Sequence, residues 1–186
     1  MPRTDALDRP APEPAADPEP PPGLIVEVVE DAGGWPALGD VTAIIAPVLT
    51  AVKANAQLSR HLPAEVCIAL VDDAAMRRLN GQFRAKDKPT NVLSFPSAMP
   101  AVANQRRHLG DIALGFETVM REAAAQRIAP PDHVRHLVLH GLLHLMGFDH
   151  ESEAEAAVME ALEIEILAGL GIADPYEEAA SAPAAP

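Results

Sequence analysis

The pattern of apolar and polar positions predicts alternating strands and helices between residues 24 and 172. β-Branched and other apolar residues predominate at 24–29, and residues 66–71 form a continuous apolar run, as in a buried strand. Two shorter apolar segments, 92–95 and 112–116, predict further strands joined by a loop rich in Pro and Ala. The sequence therefore predicts a small sheet of about four strands.

Helical patterns lie between and after these strands. Residues 41–58 are amphipathic, and Pro47 either kinks that helix or marks its start. Asp72 or Asp73 can cap a second helix that continues through Leu79. Further helices are predicted at 118–128, from Pro130 or Pro131 onward, and at 151–170. Together the elements predict an α+β domain, a small mixed sheet of about four strands covered by helices.

The two ends of the chain differ in composition from this core. Residues 1–23 contain eight prolines and are otherwise mostly Ala, Asp and Glu. Such a segment cannot bury enough apolar surface to offset the entropy lost on ordering. Residues 173–186 have a similar composition. We therefore predict disordered tails at 1–23 and 173–186, flanking one folded domain at 24–172.

Charge and hydropathy limit where this protein acts. Neither end carries the basic stretch and apolar run of a secretory signal, and no apolar stretch reaches the length of a membrane span. The formal net charge of the 186 residues is -13, which argues against nonspecific coating of nucleic acid. We expect a cytoplasmic protein with no membrane partner and no DNA partner.

One segment departs from this acidic character. Residues 77–108 hold seven of the 14 Lys and Arg residues and a single acid, Asp87. A concentrated positive potential on an acidic body favours the binding of one polyanion strand. Solvated charges on a helix and a loop would give the same pattern. The charge pattern alone leaves both interpretations open.

The segment from His140 to His150 carries a metal-ligand pattern. His140 and His144 are four residues apart and share one face of a helix. Gly147 favours the left-handed conformation that ends a helix, and His150 can then fold back as a third ligand. Three imidazoles suit zinc and leave a fourth position open, as in catalytic sites. We predict one Zn²⁺ ion on this helix and its following turn, for which Ni²⁺ can substitute.

The same spacing matches the metzincin peptidase pattern H-E-x-x-H-x-x-G-x-x-H at every position except one. Gly141 stands where those peptidases carry the glutamate that serves as general base. A glycine cannot accept a proton from water. The pattern therefore retains the metal ligands and argues against peptide hydrolysis.

Four further residues bear on this motif. His136 lies one turn before His140, and its distance from His144 along the helix is too great for both to bind one ion. It is therefore assigned either to a position that contacts a ligand histidine or to the surface. His133 is predicted to be exposed. Asp111 and Asp149 are candidates for orienting a ligand imidazole through its second nitrogen. Asp149 fits a turn equally well.

Three motifs, in their order and approximate spacing, resemble the YbeY family of metal-dependent single-strand endoribonucleases. They are Arg84-Ala85-Lys86-Asp87-Lys88-Pro89-Thr90-Asn91-Val92-Leu93-Ser94-Phe95-Pro96, Leu109-Gly110-Asp111-Ile112 and the histidine motif. The resemblance covers about residues 24–172. The chain departs from it in the two tails and in the segment 97–108, which is longer and less regular than expected.

The resemblance implies a cytoplasmic, bacterial-type factor that processes the 3′ end of small-subunit rRNA and acts in ribosome quality control. It implies His140, His144 and His150 as the metal ligands and Arg84 as the functionally important arginine. The implied partners are single-stranded RNA, rRNA in particular, and the ribosome or its small subunit.

The basic residues of the first motif suggest how RNA is held. The planar guanidinium of Arg84 can contact two oxygens of the scissile phosphate at once, which gives this residue a catalytic role. Lys86 and Lys88 would contact flanking phosphates. The sequence leaves open whether water or the RNA 2′-hydroxyl attacks the phosphate.

Two other functions fit part of these patterns. A noncatalytic, zinc-stabilised module that binds RNA or ribosomal protein explains the basic segment and the histidines, but not the open coordination position. A metal-dependent peptidase explains the histidines, but not Gly141.

Overall fold

The computed structural model describes residues 23–100, 102 and 105–177. The strands in this part of the chain are β1 (Leu24–Glu30), β2 (Ala64–Val71), β3 (Val92–Pro96) and β4 (Arg107–Gly115). The α-helices are α1 (Val41–Ala54), α2 (Asp73–Arg84), α3 (Phe116–Gln126), α4 (Pro130–Leu145) and α5 (Glu153–Gly169). Short 3₁₀ helices cover Trp35–Leu38 and Ser59–His61.

The four strands form one mixed sheet in the order β1-β2-β4-β3. β2 pairs in parallel with both β1 and β4, whereas β3 is antiparallel to β4 and lies at an edge. The predicted α+β fold with a four-stranded mixed sheet is confirmed. None of the helices that the structure describes combines the length and the apolar character needed to cross a bilayer.

Residues along β4 alternate between two cores, one on each face of the sheet. Ile112 and Leu114 belong to the larger core, which also contains the apolar faces of α1, α4 and α5. Ala113 points to the opposite face and joins a smaller core with Ala75 and Met76 of α2. The sheet is therefore covered on both faces, and α4 packs in the larger core.

Side-chain caps set the starts of the first two helices. The Asp40 carboxylate accepts a hydrogen bond from the backbone N–H of Ala43, so α1 begins at Val41 and Pro47 lies inside it. Asp72 caps α2 in the same way, through the N–H of Ala75 at 2.6 Å. Of the alternatives that the sequence left open, Asp72 is the cap and Pro47 is not the helix start.

The observed boundaries differ most from the predicted ones at the end of α2 and at the start of β4. α2 continues five residues past Leu79, so Arg84 lies in its last turn and not in a loop. β4 begins at Arg107 and not at residue 112, because polar residues at its start interrupt the apolar run that was used to predict it. Residues 1–22 and 178–186 lie outside the described residues, and the disordered tails stay predictions.

Candidate metal centre and basic cleft

α4 and the turn after it bring three imidazoles together. His140 and His144 lie on successive turns of α4, with their Nε2 atoms 3.1 Å apart. Gly147 adopts a φ of +92°, in the left-handed region, where the chain leaves the helix and returns to His150. Nitrogen atoms of all three histidines lie within 4.8 Å of one another. The residues predicted as metal ligands thus form one cluster.

The geometry and chemistry of this cluster fit a single transition-metal ion. Two nitrogens bound to one tetrahedral zinc, each about 2.0–2.1 Å from it, lie about 3.3 Å apart. The distance between the Nε2 atoms of His140 and His144 is 3.1 Å. Imidazole donors suit zinc, nickel and copper alike, so the donors indicate a class of metal and not its identity.

A hydrogen-bond acceptor lies next to the Nδ1 atom of each helical histidine. Nδ1 of His140 is 2.8 Å from Oε1 of Glu163, and Nδ1 of His144 is 3.1 Å from the carbonyl oxygen of Phe148. A carboxylate and a carbonyl only accept, so Nδ1 donates in each neutral ring and the lone pair of Nε2 faces the cluster. Burial, together with the neighbouring His140 and His150, lowers the pKa of His144 and favours its neutral form.

Neither predicted aspartate makes the closest contact to a ligand histidine. Asp149 Oδ1 is 3.9 Å from Nδ1 of His144 and accepts a hydrogen bond from the backbone N–H of His150 at 2.8 Å, as a turn residue does. Asp111 is 3.4 Å from Nε2 of His108. The turn interpretation of Asp149 is correct, and Asp111 is not an orienting group for the cluster.

The orienting carboxylate is Glu163 of α5, which sequence analysis missed. It is fully buried and accepts hydrogen bonds from His140, from Nε2 of His136 at 3.4 Å and from the hydroxyl of Tyr176. Burial alone would raise its pKa, but these bonds outweigh burial and lower the pKa of Glu163 from 4.5 to about 2. An acid on the apolar face of α5 was the one sequence signal for it.

His133 is buried, and the prediction that it is exposed is wrong. Only 3% of the residue is exposed, because α3 packs against this part of α4. Its Nε2 is 3.1 Å from Oε2 of Glu122, the same oxygen that accepts a hydrogen bond from the amide of Asn91 at 2.8 Å. His133 thus links α4, through α3, to the start of β3.

Arg84, Lys86 and Lys88 line the same open cleft as the three histidines, a cavity of about 300 Å³. All three cations are exposed. The segment that carries them is fixed by Asn80, whose buried side chain donates to the carbonyl of Lys88 at 2.7 Å. The cleft therefore combines imidazoles and cations in its lining.

The remaining basic residues of segment 77–108 do not line this cleft. Arg77 forms a bidentate ion pair with Asp87 on the surface, with both N···O distances 2.6 Å. Arg106 donates to the carbonyl of Gly23 at 2.7 Å, at the far end of the sheet. The segment therefore divides into cations that line the cleft and cations that lie away from it.

Comparison with known proteins agrees with the motifs that form this cleft. The family model described as "Endoribonuclease YbeY" matches residues 37–171. The chain is 50% identical over 153 residues to Endoribonuclease YbeY of Azorhizobium caulinodans, covering 81% of this chain and 95% of the relative. It is 47% identical over 156 residues to the protein of the same name from Chelativorans sp., with 83% and 94% covered. For Rhodospirillum rubrum the identity is 49% over 158 residues, with 79% and 78% covered. The chain belongs to the YbeY endoribonuclease family.

Proposed function

We propose that this protein is a zinc-dependent endoribonuclease that cleaves single-stranded RNA, with the metal on His140, His144 and His150 and with Arg84 on the scissile phosphate. The observation that carries the proposal is the placement of the three imidazoles and Arg84 in one cleft. The name endoribonuclease, which the family and its relatives carry, supports the same reaction class.

The histidines fix the geometry of the site. Held by these three histidines, a zinc ion would supply Lewis-acid polarisation of a phosphoryl oxygen and would lower the pKa of a bound water. His140 and His144 are held as Nε2 donors by Glu163 and by the carbonyl of Phe148. His150 is exposed at the mouth of the cleft. The site is therefore preorganised on its buried side and accessible on its solvent side.

Arg84 is suited to the phosphate by position and by shape. It lies in the last turn of α2, is exposed, and lines the same cleft as the imidazoles. Negative charge on the phosphoryl oxygens increases in the transition state, so a cation there stabilises the transition state more than the ground state. Lys86 and Lys88 lie beyond it and would bind the adjacent phosphates.

The electrostatics of the chain favour a single strand. Three exposed cations meet at one cleft, whereas the chain as a whole carries a net charge of -13. Positive charge concentrated at one cleft of a chain that is acidic overall favours the binding of one polyanion strand over general coating. We further propose small-subunit rRNA as the substrate and the ribosome as the partner, with roles in rRNA 3′-end maturation and quality control in the cytoplasm. The support for these is the family resemblance of the motifs around Arg84 and the histidines.

Peptide hydrolysis fits this cleft poorly. No carboxylate lines the cleft among the residues that the structure describes. Glu163, which accepts a hydrogen bond from Nδ1 of His140, is fully buried behind that histidine. Gly141 occupies the position of the peptidase glutamate and faces Ile112. A general base of the metzincin kind is therefore missing from the wall where a peptide would react.

One experiment separates the three candidate functions. The purified protein is incubated with single-stranded RNA, duplex RNA and an unfolded polypeptide, each with a chelator and after zinc is restored. We expect cleavage of single-stranded RNA alone, lost with the chelator and recovered with zinc. RNA binding without cleavage under any metal condition would favour the noncatalytic assembly factor, and cleavage of the polypeptide would favour the peptidase.

A further inference from the structure

A partly buried hydrogen-bond network lies behind the histidine cluster and joins α4, α5 and the segment after α5. At its centre is Glu163, which is fully buried. Its Oε1 is 2.8 Å from Nδ1 of His140, and its Oε2 accepts from His136 and from the Tyr176 hydroxyl. None of Glu163, His136 and Tyr176 lines the cleft. Among the residues that the structure describes, the network therefore reaches the metal cluster through His140.

The two oxygens of Glu163 have separate partners. Oε1 faces the cluster histidine, while Oε2 faces away from it, toward His136 and Tyr176. A buried carboxylate is costly unless its oxygens accept hydrogen bonds, so the Oε2 partners stabilise the ionised group in place. The Tyr176 ring also packs edge-on against His136, with ring centroids 6.1 Å apart. Tyr176 is thus tied to the network by its hydroxyl and by its ring.

We propose that Glu163 and Tyr176 are positioning residues for the metal, acting as a relay. Glu163 holds His140 in the tautomer and orientation that present Nε2 to the cluster, and the Tyr176 hydroxyl holds Glu163. The segment that follows α5 then sets metal affinity without contacting the ion. This proposal rests on the metal site of the proposed function.

A second metal site on the same side chains is disfavoured by the proton on Nδ1 of His140. His136, His140 and Glu163 place ligand atoms within 4.8 Å of one another and could form a second metal site. Such a site would need the Nδ1 lone pair of His140, but in a neutral ring whose Nε2 is a ligand, Nδ1 carries the proton. A hydrogen bond from Nδ1 to Glu163 satisfies both groups, whereas two ions would require an imidazolate.

The test is metal affinity, measured by competition with a chromophoric chelator on the full chain. The variants are Glu163→Gln and Tyr176→Phe, with Glu165→Gln as the matched control, since Glu165 is exposed on the same helix. Loss of an outer hydrogen-bond partner typically weakens metal binding by about 10–100-fold. We expect a loss in that range for Glu163→Gln, a smaller loss for Tyr176→Phe and no change for Glu165→Gln.

Two further measurements separate positioning from mere stabilisation of the fold. The cobalt-substituted protein should show a changed visible absorption spectrum in Glu163→Gln, because the spectrum reports ligand geometry, and the parental spectrum in Glu165→Gln. The double variant should bind zinc no more weakly than Glu163→Gln alone, since Tyr176 acts through Glu163. If Glu163→Gln does not fold, Tyr176→Phe, which removes only one hydroxyl, still gives the comparison.

Failure of this proposal can be distinguished from failure of the proposed function. Parental zinc affinity in both Glu163→Gln and Tyr176→Phe, with metal bound to the parent, overturns the relay and leaves the proposed function standing. Two equivalents of zinc in the parent, falling to one in Glu163→Gln, overturn it in favour of a second metal site. A parent protein that binds no metal overturns the relay and the proposed function together.

Discussion

Gly141 lies against Ile112 at the contact between α4 and β4. A Cβ atom at position 141 would lie 2.8 Å from Cδ1 of Ile112 and 3.2 Å from its Cγ1 and Cγ2. The glycine that stands in place of a peptidase glutamate thus also allows the metal-ligand helix to approach the sheet closely.

This contact predicts the effect of enlarging position 141. Overpacking a core contact costs about 1–3 kcal/mol. Gly141→Ala should therefore lower the free energy of unfolding by about that amount relative to Gly169→Ala, a helical control with no atom within 4 Å of an added Cβ. Urea denaturation of both variants measures the difference. Gly141→Glu should be less stable still and should show no peptidase activity. Equal stability of the two alanine variants would show that the contact is not tight.

The histidine cluster predicts a metal content. The purified protein should retain about one equivalent of zinc, or of nickel after nickel-affinity purification. His144→Ala should lose it, and His108→Ala should retain it, because His108 lies outside the cluster. Elemental analysis of the three proteins gives the result. Full occupancy in both His140→Ala and His144→Ala would rule out this site.

His133 predicts a dependence of stability on pH. Burial lowers the pKa of His133 in the folded protein, and its hydrogen bond to Glu122 offsets this only in part. The unfolded state, with a pKa of about 6.5, then takes up the proton first as the pH falls. The contribution of His133 is therefore present above about pH 6.5 and declines below it. Urea denaturation of the metal-free parent and His133→Gln between pH 7.5 and 5 should show the shallower decline in the variant. Identical slopes would contradict a buried neutral His133.

The tails predict a pattern of limited proteolysis. Composition predicts disorder at 1–23 and 173–186, and a protease should trim both ends while leaving a core that binds metal. Because the Tyr176 hydroxyl contacts Glu163, the position of the C-terminal cut should affect zinc binding. A core that ends after residue 177 should bind zinc like the full chain, and one that ends before Tyr176 should bind it more weakly. Mass spectrometry of the trimmed cores, followed by zinc titration, tests both points. Loss of folding on removing residues 1–23 alone would show that the predicted domain boundary is wrong.

The parts of the site that sequence could predict are set by local geometry. The spacing of His140 and His144 places them on one helical face whatever the rest of the fold, and Gly147 permits the reversal that returns His150. All of this is encoded within eleven residues. The four strands were recognisable for a similar reason, since each includes a short apolar run.

The parts that sequence missed depend on packing between distant segments. Glu163 meets His140 only because α5 packs on α4, and a single acid in an apolar stripe does not specify its partner. His133 is buried because α3 covers it, which no pattern within α4 reveals. The charge pattern of segment 77–108 did not predict which cations line the cleft. It does not show that Arg106 donates to the backbone carbonyl of Gly23 while Arg84 lines the cleft.

The most direct test of the nuclease proposal is single-turnover cleavage of single-stranded RNA by Arg84→Ala at saturating protein, beside a binding titration over several salt concentrations. Removing one group that stabilises transition-state charge typically lowers the rate by about 10²–10³-fold. We expect a loss of that order in cleavage, with a much smaller change in binding, and only partial recovery in Arg84→Lys because an ammonium cannot make a bidentate contact. Arg78→Ala, on the same helix and outside the cleft, should cleave like the parent. If Arg84→Ala binds and cleaves RNA as the parent does, Arg84 does not hold the scissile phosphate.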